Sequence, residues 1–303
     1  MCFSHKKVIP LSFVYLTIIL SYLNGLYVVN LIDLQENIEA SNSIKGESSL
    51  RHAVITAGSK GLGKKVTEQL LNKGCSVSIN YRNDTETIEK LKKEWSHFGE
   101  SRLHFFQGDV TKKEQMQQFI DEVVERFGRI DYLINNAGPY IFERKKLADY
   151  SDEEWYEMIE GNLSAVFHLF RKTIPFMREQ RFGRIITYGF QGAESSPGWI
   201  YRSAFAAAKV GLVSLTKSIA IEEAEHGITA NMICPGNIVG EMKESTIEHA
   251  RGLDDSKNTP VGRSGTGEDI ARVIEFLCEE NSDMITGAVL EVTGGVEVIN
   301  RFR

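Results

Sequence analysis

From Arg51 onward, short apolar runs alternate with stretches in which apolar residues recur every third or fourth position. Residues 53–56, 77–79, 103–106, 130–134, 184–188, 228–233 and 288–292 are brief, largely apolar runs, and each predicts a buried strand. Between them the period changes. Residues 64–72 have helical spacing, and Met116, Phe119, Ile120, Val123, Val124 and Phe127 fall at i, i+3, i+4 intervals. Trp155, Met158, Ile159, Val166, Phe167 and Phe170 predict one face of a single long helix. This alternation predicts an α/β fold, a doubly wound parallel sheet of about seven strands with helices on both faces. No internal repeat or low-complexity tract interrupts the pattern, so residues 50–303 are expected to form one domain.

In such a sheet ligands bind beyond the carboxyl ends of the strands, which makes the residues just after each strand the informative ones. The first strand runs into Thr56-Ala57-Gly58-Ser59-Lys60-Gly61-Leu62-Gly63. Its glycines let backbone amides approach a pyrophosphate at a helix N-terminus, where the dipole favours an anion. Alone, such a cluster is equally a plain structural turn. Its company argues otherwise. Gly108-Asp109-Val110 follows the third strand, Asn135-Asn136-Ala137-Gly138 the fourth, and Cys234-Pro235-Gly236 the sixth, with Ile238 close behind. Further along the chain stand Gly161-Asn162-Leu163, Ala206-Ala207-Ala208-Lys209, Gly262-Arg263 and Ile285-Thr286-Gly287.

With these motifs in this order, the chain resembles the short-chain dehydrogenase/reductase family over roughly residues 50–303, and within it the 3-oxoacyl-ACP-reductase-like group. The resemblance implies a Rossmann-type domain that binds a nicotinamide dinucleotide through Thr56, Gly58, Ser59, Lys60, Gly61, Leu62, Gly63, Arg82, Asp109, Val110, Asn136, Ala137, Gly138, Lys209, Pro235, Gly236 and Ile238. One departure is Ala57, which stands where the family has its first glycine. Charge suggests which dinucleotide. NAD binders place a carboxylate at the end of the second strand to hold the ribose diol. Here that stretch is Asn80-Tyr81-Arg82, with no acid before Asp84, and Lys60 lies in the glycine turn. Two cations and no carboxylate favour the 2′-phosphate of NADP over NAD.

The catalytic half departs further. The family reduces carbonyls with a Ser–Tyr–Lys triad and a supporting Asn: the tyrosine protonates the developing alkoxide and the lysine binds the cofactor ribose. Carried over, Asn162 and Lys209 are present, but the tyrosine position is Phe205 and the serine position is Phe190. Tyr201 lies four residues before Phe205, about one turn or 6 Å away if helix already exists there, and is the expected replacement acid. Tyr188 and Ser203 are further candidates. Two readings stay open: an NADP(H)-dependent oxidoreductase with non-standard proton delivery, or a catalytically silent NADP(H)-binding sensor or scaffold. The expected partners are a small-molecule or acyl-thioester substrate, covered by residues 238–263, and a second copy of the chain. Resemblance implies a homotetramer or dimer that buries the helices around residues 155–177 and 204–221.

Composition narrows little more. Hydrophobic residues are 42% and charged residues 25%, as in globular domains, and a net charge of −6 with mixed signs argues against nucleic acid. Four scattered cysteines form no Cys-x-x-Cys pair, so no metal site is expected. The first 49 residues pose a separate question. Residues 8–32 carry no charge and follow His5-Lys6-Lys7, so they are long enough for a membrane anchor. With acids after the run, the positive-inside tendency would put the domain outside the cytoplasm, where a soluble nicotinamide enzyme finds little cofactor. The alternative is a translated leader ahead of a start near Leu50, with residues 36–49 as a polar stretch and the domain cytoplasmic.

Overall fold

Seven strands join in one parallel sheet in the computed structural model, which describes residues 50–253 and 259–297. The expectations for residues 1–49, and for 254–258 of the covering segment, lie outside the described residues. The strands are β1 (His52–Ile55), β2 (Ser76–Tyr81), β3 (Leu103–Gln107), β4 (Tyr132–Asn135), β5 (Gly183–Tyr188), β6 (Ile228–Pro235) and β7 (Val289–Val292). Their order across the sheet is β3-β2-β1-β4-β5-β6-β7. The chain reverses direction across the sheet between β1 and β4, so the crevice beyond those two strand ends is where a dinucleotide fits.

Period-two alternation sends successive strand residues to opposite faces, and both faces are buried. Ala53 and Ile55 pack with Val66, Leu70 and Leu71 of α1 (Gly61–Asn72), Ile88 and Leu91 of α2 (Thr85–Glu94), and Ile270 and Ile274 of α8 (Gly267–Cys278). Val54 faces the other layer. There it meets α3 (Lys113–Phe127), α5 (Ala165–Gln180) and α6 (Ser203–Glu222), through Phe119, Ile120, Phe170 and Leu212. The remaining α-helices among the described residues are α4 (Asp152–Ile159) and α7 (Ile247–Arg251).

Two elements differ from the sequence pattern. α2 leaves no periodic signal because Ile88 and Leu91 are its only buried residues; Asp84 caps it by accepting from the Thr87 amide at 3.0 Å. The single long helix is in fact α4 and α5 joined by a π-helical turn, Glu160–Ser164. A turn with i→i+5 bonds takes an extra residue and rotates the helix beyond it about its axis. Trp155 and Phe167 therefore turn out to be 38% and 40% exposed, whereas Met158, Val166 and Phe170 are buried.

Candidate active site

The glycine turn is wired to the neighbouring strands. Asn80 of β2 accepts from the Ala57 amide at 2.9 Å and donates to Gly108 O at 2.7 Å, tying the turn to the segment after β3. From beyond β4, Asn136 Nδ2 donates to Thr56 O and Ala57 O at 3.0 and 3.2 Å, and the Ala137 amide donates to Thr56 Oγ1 at 2.9 Å. A side chain at Gly63 would put its Cβ 2.3 Å from Ala57 O and 2.6 Å from Asn136 Nδ2. That close approach brings the start of α1 against the turn. The Gly61 amide points outward and donates at 2.7 Å to a carboxylate oxygen of Glu244, which also lies 3.8 Å from Lys64 Nζ. An amide that donates to a carboxylate oxygen can equally donate to a phosphate oxygen, so the donor at this turn fits an anion.

Ala57 holds φ +50°, in the left-handed region. For a residue with Cβ this costs roughly 1–2 kcal/mol, against somewhat under 1 kcal/mol of extra chain entropy that a glycine would lose on folding. Ala57→Gly should therefore stabilise the protein by about 0.5–1 kcal/mol, read as a melting temperature a few degrees higher.

Of the other expected cofactor residues, Thr56 and Ser59 are buried, and Lys60 is exposed at the turn. The Arg82 side chain is 65% exposed, with Nη1 3.8 Å from Asp109. Asp109 in turn accepts from the amide and hydroxyl of Thr111, both at 2.9 Å, and fixes the loop after β3. Val110 packs beneath that loop against the α3 layer. After β6, Pro235 ends the strand, Ile238 is buried, and a Cβ on Gly236 would meet Thr293 Cα at 2.8 Å.

Asn162 and Lys209 converge on Gly138. A Cβ at Gly138 would fall 2.4 Å from Asn162 Oδ1 and 3.6 Å from Lys209 Nζ. The π-helical turn presents Asn162, whose Nδ2 donates to Pro139 O and Met158 O at 3.0 and 3.1 Å. Its Oδ1 is buried and accepts no hydrogen bond from any described residue, and it faces the same glycine as Lys209 Nζ. Lys209 itself is 5% exposed. Burial pulls its ammonium down from 10.5 to about 8, partly offset by the nearby Cys234. No hydrogen bond or ion pair joins Lys209 to any described residue; instead its Nζ lies 5.7 Å from the Phe205 ring centroid.

Phe205 and Phe190 belong to an aromatic cluster. Phe190, 4% exposed, is 5.0 Å from Trp199 and 6.3 Å from Phe205, centroid to centroid. Phe205 meets Tyr140 edge-on at 5.0 Å. The helical premise for Tyr201 does not hold. α6 starts at Ser203, and Tyr201 sits before it in a turn at φ +62° with its ring under the Arg144 guanidinium. Tyr188 is buried with the α1 and α8 layer, on the face of the sheet away from Phe190 and Phe205. Burial drives its phenol far above the usual tyrosine range. The Ser203 hydroxyl is buried and makes no hydrogen bond among the described residues.

Sequence reasoning missed Tyr140 and Arg202. Arg202 Nε donates to the Tyr140 hydroxyl at 2.6 Å, while its other nitrogens donate to Phe142 O, Glu143 O and Tyr201 O at 2.9, 2.6 and 2.8 Å. Tyr140 stands two residues beyond Gly138, on the segment that leaves β4, and that position was the available signal.

Residues 56–297 match a family profile described as enoyl-(acyl carrier protein) reductase. The Bacillus subtilis protein YtkK, whose name describes an oxidoreductase, is 68% identical over 252 residues, covering 83% of this chain and 98% of that protein. The 3-oxoacyl-[acyl-carrier-protein] reductase FabG of Haemophilus influenzae is 36% identical over 246 residues, 80% of this chain and 97% of FabG. Among solved structures, a Bacillus thuringiensis protein described as a 3-oxoacyl-reductase superposes with a TM-score of 0.79 at 64% identity, over 83% of this chain and all of that one. The NADP-bound structure of ElxO gives a TM-score of 0.71 at 30% identity, over 81% of this chain and 98% of that one.

Proposed function

Because the chain belongs to the short-chain dehydrogenase/reductase family, among its FabG-like 3-oxoacyl reductases, we propose that it reduces the ketone of a 3-oxoacyl thioester without a hydroxyl at either position 205 or 190. It is an oxidoreductase, and NADP(H) is its cofactor. The observation that carries the finer reading is the retained pair, Asn162 Oδ1 and Lys209 Nζ, converging on Gly138 beside two phenylalanines. A buried lysine with no partner is costly to keep unless a ligand completes it.

NADPH, when bound, supplies the hydride. The chain supplies everything else. In this reading Lys209 Nζ would donate to the ribose hydroxyls, and the Gly61 amide and the turn around it would receive the pyrophosphate. Asn162 Oδ1 is an acceptor for a water that would extend a proton path from Lys209 toward solvent. The aromatic wall of Phe190, Trp199 and Phe205 excludes water from the carbonyl side and strengthens polar interactions there. Loss of NADPH absorbance on adding acetoacetyl-CoA tests the substrate: consumption supports the 3-oxoacyl thioester reading, and tight NADPH binding with no consumption across 3-oxoacyl thioesters overturns it.

Lys60 and Arg82 are the proposed receptors of the 2′-phosphate. Each charge-assisted hydrogen bond is worth about 1.5–3 kcal/mol, so losing both in Lys60→Ala with Arg82→Ala should cut the preference for NADPH over NADH by roughly 10²- to 10⁴-fold. Titration calorimetry with both cofactors reads this directly. An unchanged preference would remove both residues from the site.

Pairing of two copies is proposed as well. Among the exposed residues of α6, Ala207 and Ile221 are apolar and stand with Ser214, Ser218 and Glu222, and Trp155 and Phe167 stand out on α4 and α5. Large apolar side chains left exposed beside one another mark a surface that a second copy of the chain can cover.

A further inference from the structure

We infer that Tyr140 is the proton donor of this site, a phenol delivered from the segment after β4 rather than from α6, with Arg202 positioning it. The inference rests on the reductase reading above. Its starting point is the edge-on contact between the Tyr140 and Phe205 rings, 5.0 Å between centroids. Tyr140 therefore stands beside the ring that occupies the usual place of the acid. That same ring lies 5.7 Å from Lys209 Nζ, and a Cβ on Gly138, two residues before Tyr140, would meet both Lys209 and Asn162. The Phe205 ring thus has one phenol ring on one contact and one ammonium on another, and Asn162 Oδ1 meets the same glycine as that ammonium.

The hydrogen-bond directions then assign the proton. Arginine has donors only, so in the 2.6 Å contact from Arg202 Nε the phenol oxygen is the acceptor. The phenol's own hydrogen is not used there and remains free to donate elsewhere. Arg202 cannot swing away easily, because three backbone carbonyls hold its other nitrogens and its guanidinium also lies 5.0 Å from the Tyr140 ring centroid. A fixed cation beside the oxygen is what a proton donor needs at the moment its oxygen becomes negative. Tyr201 contributes its carbonyl to this clamp while its ring is engaged with Arg144, so its place in the turn supports Tyr140 instead of replacing the acid.

The step balances simply. The substrate C=O π bond breaks, the carbon gains the hydride that NADPH supplies, and the oxygen gains the Tyr140 proton. NADPH becomes NADP⁺, the ketone becomes a secondary alcohol, and the phenolate recovers a proton from water.

Tyr140→Phe keeps the ring contact with Phe205 and removes only the hydroxyl. With acetoacetyl-CoA as probe, NADPH affinity should stay unchanged while kcat falls by about 10²–10⁴-fold, the usual share of general acid catalysis. A second readout does not depend on turnover. Calorimetric binding of acetoacetyl-CoA to the protein–NADP⁺ complex should weaken roughly tenfold in Tyr140→Phe, as expected for one lost hydrogen bond to the carbonyl oxygen. Arg202→Gln should lower kcat with little change in KM, and Arg202→Lys should recover part of it. Turnover and binding in Tyr140→Phe equal to the parent would overturn the donor assignment and leave the reductase standing. If the parent binds NADPH yet reduces no 3-oxoacyl thioester, the reductase reading falls and the donor falls with it.

Discussion

Replacing Lys209 with methionine will make the cofactor-free protein more stable while weakening its hold on NADPH. Burial brings the Lys209 ammonium from 10.5 down to about 8, and each pKa unit is about 1.4 kcal/mol, so the charged lysine costs the folded state up to about 3 kcal/mol at neutral pH. The sign follows from the protons bound. Between about pH 8 and 10.5 the unfolded chain holds the proton and the folded chain has released it, so stability rises with pH across that window. Below about pH 8 both states are protonated and the full cost remains. Methionine is similar in length, carries no charge and packs readily among apolar neighbours. Lys209→Met should accordingly raise the melting temperature by several degrees at about pH 7, and the gain should shrink as the pH approaches about 10. NADPH affinity should fall by roughly 10- to 100-fold, the worth of one charge-assisted hydrogen bond. A variant that is less stable at neutral pH, or that binds NADPH as the parent does, would show that the lysine is held by the fold for itself.

Much of the fold is legible because a parallel sheet covered on both faces writes its strands as short apolar runs. All seven runs are strands, each to within a residue or two of its ends. The features that escape are those that leave no periodic mark. α2 buries two side chains, and the π-helical turn adds a residue without any change in composition. The same turn sets Asn162, so the local irregularity that spoils the long-helix pattern is the one that serves the site. The dinucleotide cradle can be read from its motifs, since a glycine whose Cβ would strike a backbone oxygen is visible as a glycine. Tyr140 cannot be read that way. Its importance comes from standing beside Phe205, 65 residues away in the chain, and from the direction in which Arg202 donates. Tyr201 misleads for the complementary reason: spacing of four implies proximity only on a helix, and α6 begins after it.

Phe205→Tyr separates a vacant acid position from a relocated one, and its effect should depend on what stands at Tyr140. In the parent, where Tyr140 already donates, a second phenol should raise acetoacetyl-CoA reduction by less than about tenfold, because proton delivery is no longer the missing element. In the Tyr140→Phe background the same change should recover at least about tenfold of the lost turnover. The new hydroxyl would extend from the ring that lies nearest Lys209 Nζ, where the buried ammonium can stabilise the charge left behind. A gain of about 100-fold or more in the parent would instead mean that nothing had replaced the lost tyrosine. The serine position must be handled apart. Phe190 is a core residue tilted against Trp199 and almost fully buried, so Phe190→Ser should cost about 3–5 kcal/mol in lost burial and cavity. That exceeds what an orienting hydroxyl returns as one hydrogen bond, about 0.5–1.5 kcal/mol. The double variant Phe205→Tyr with Phe190→Ser should therefore be less stable and no more active than Phe205→Tyr alone. An aromatic side chain at position 190 has been built into the core, and the chemistry of the site has to be restored around it.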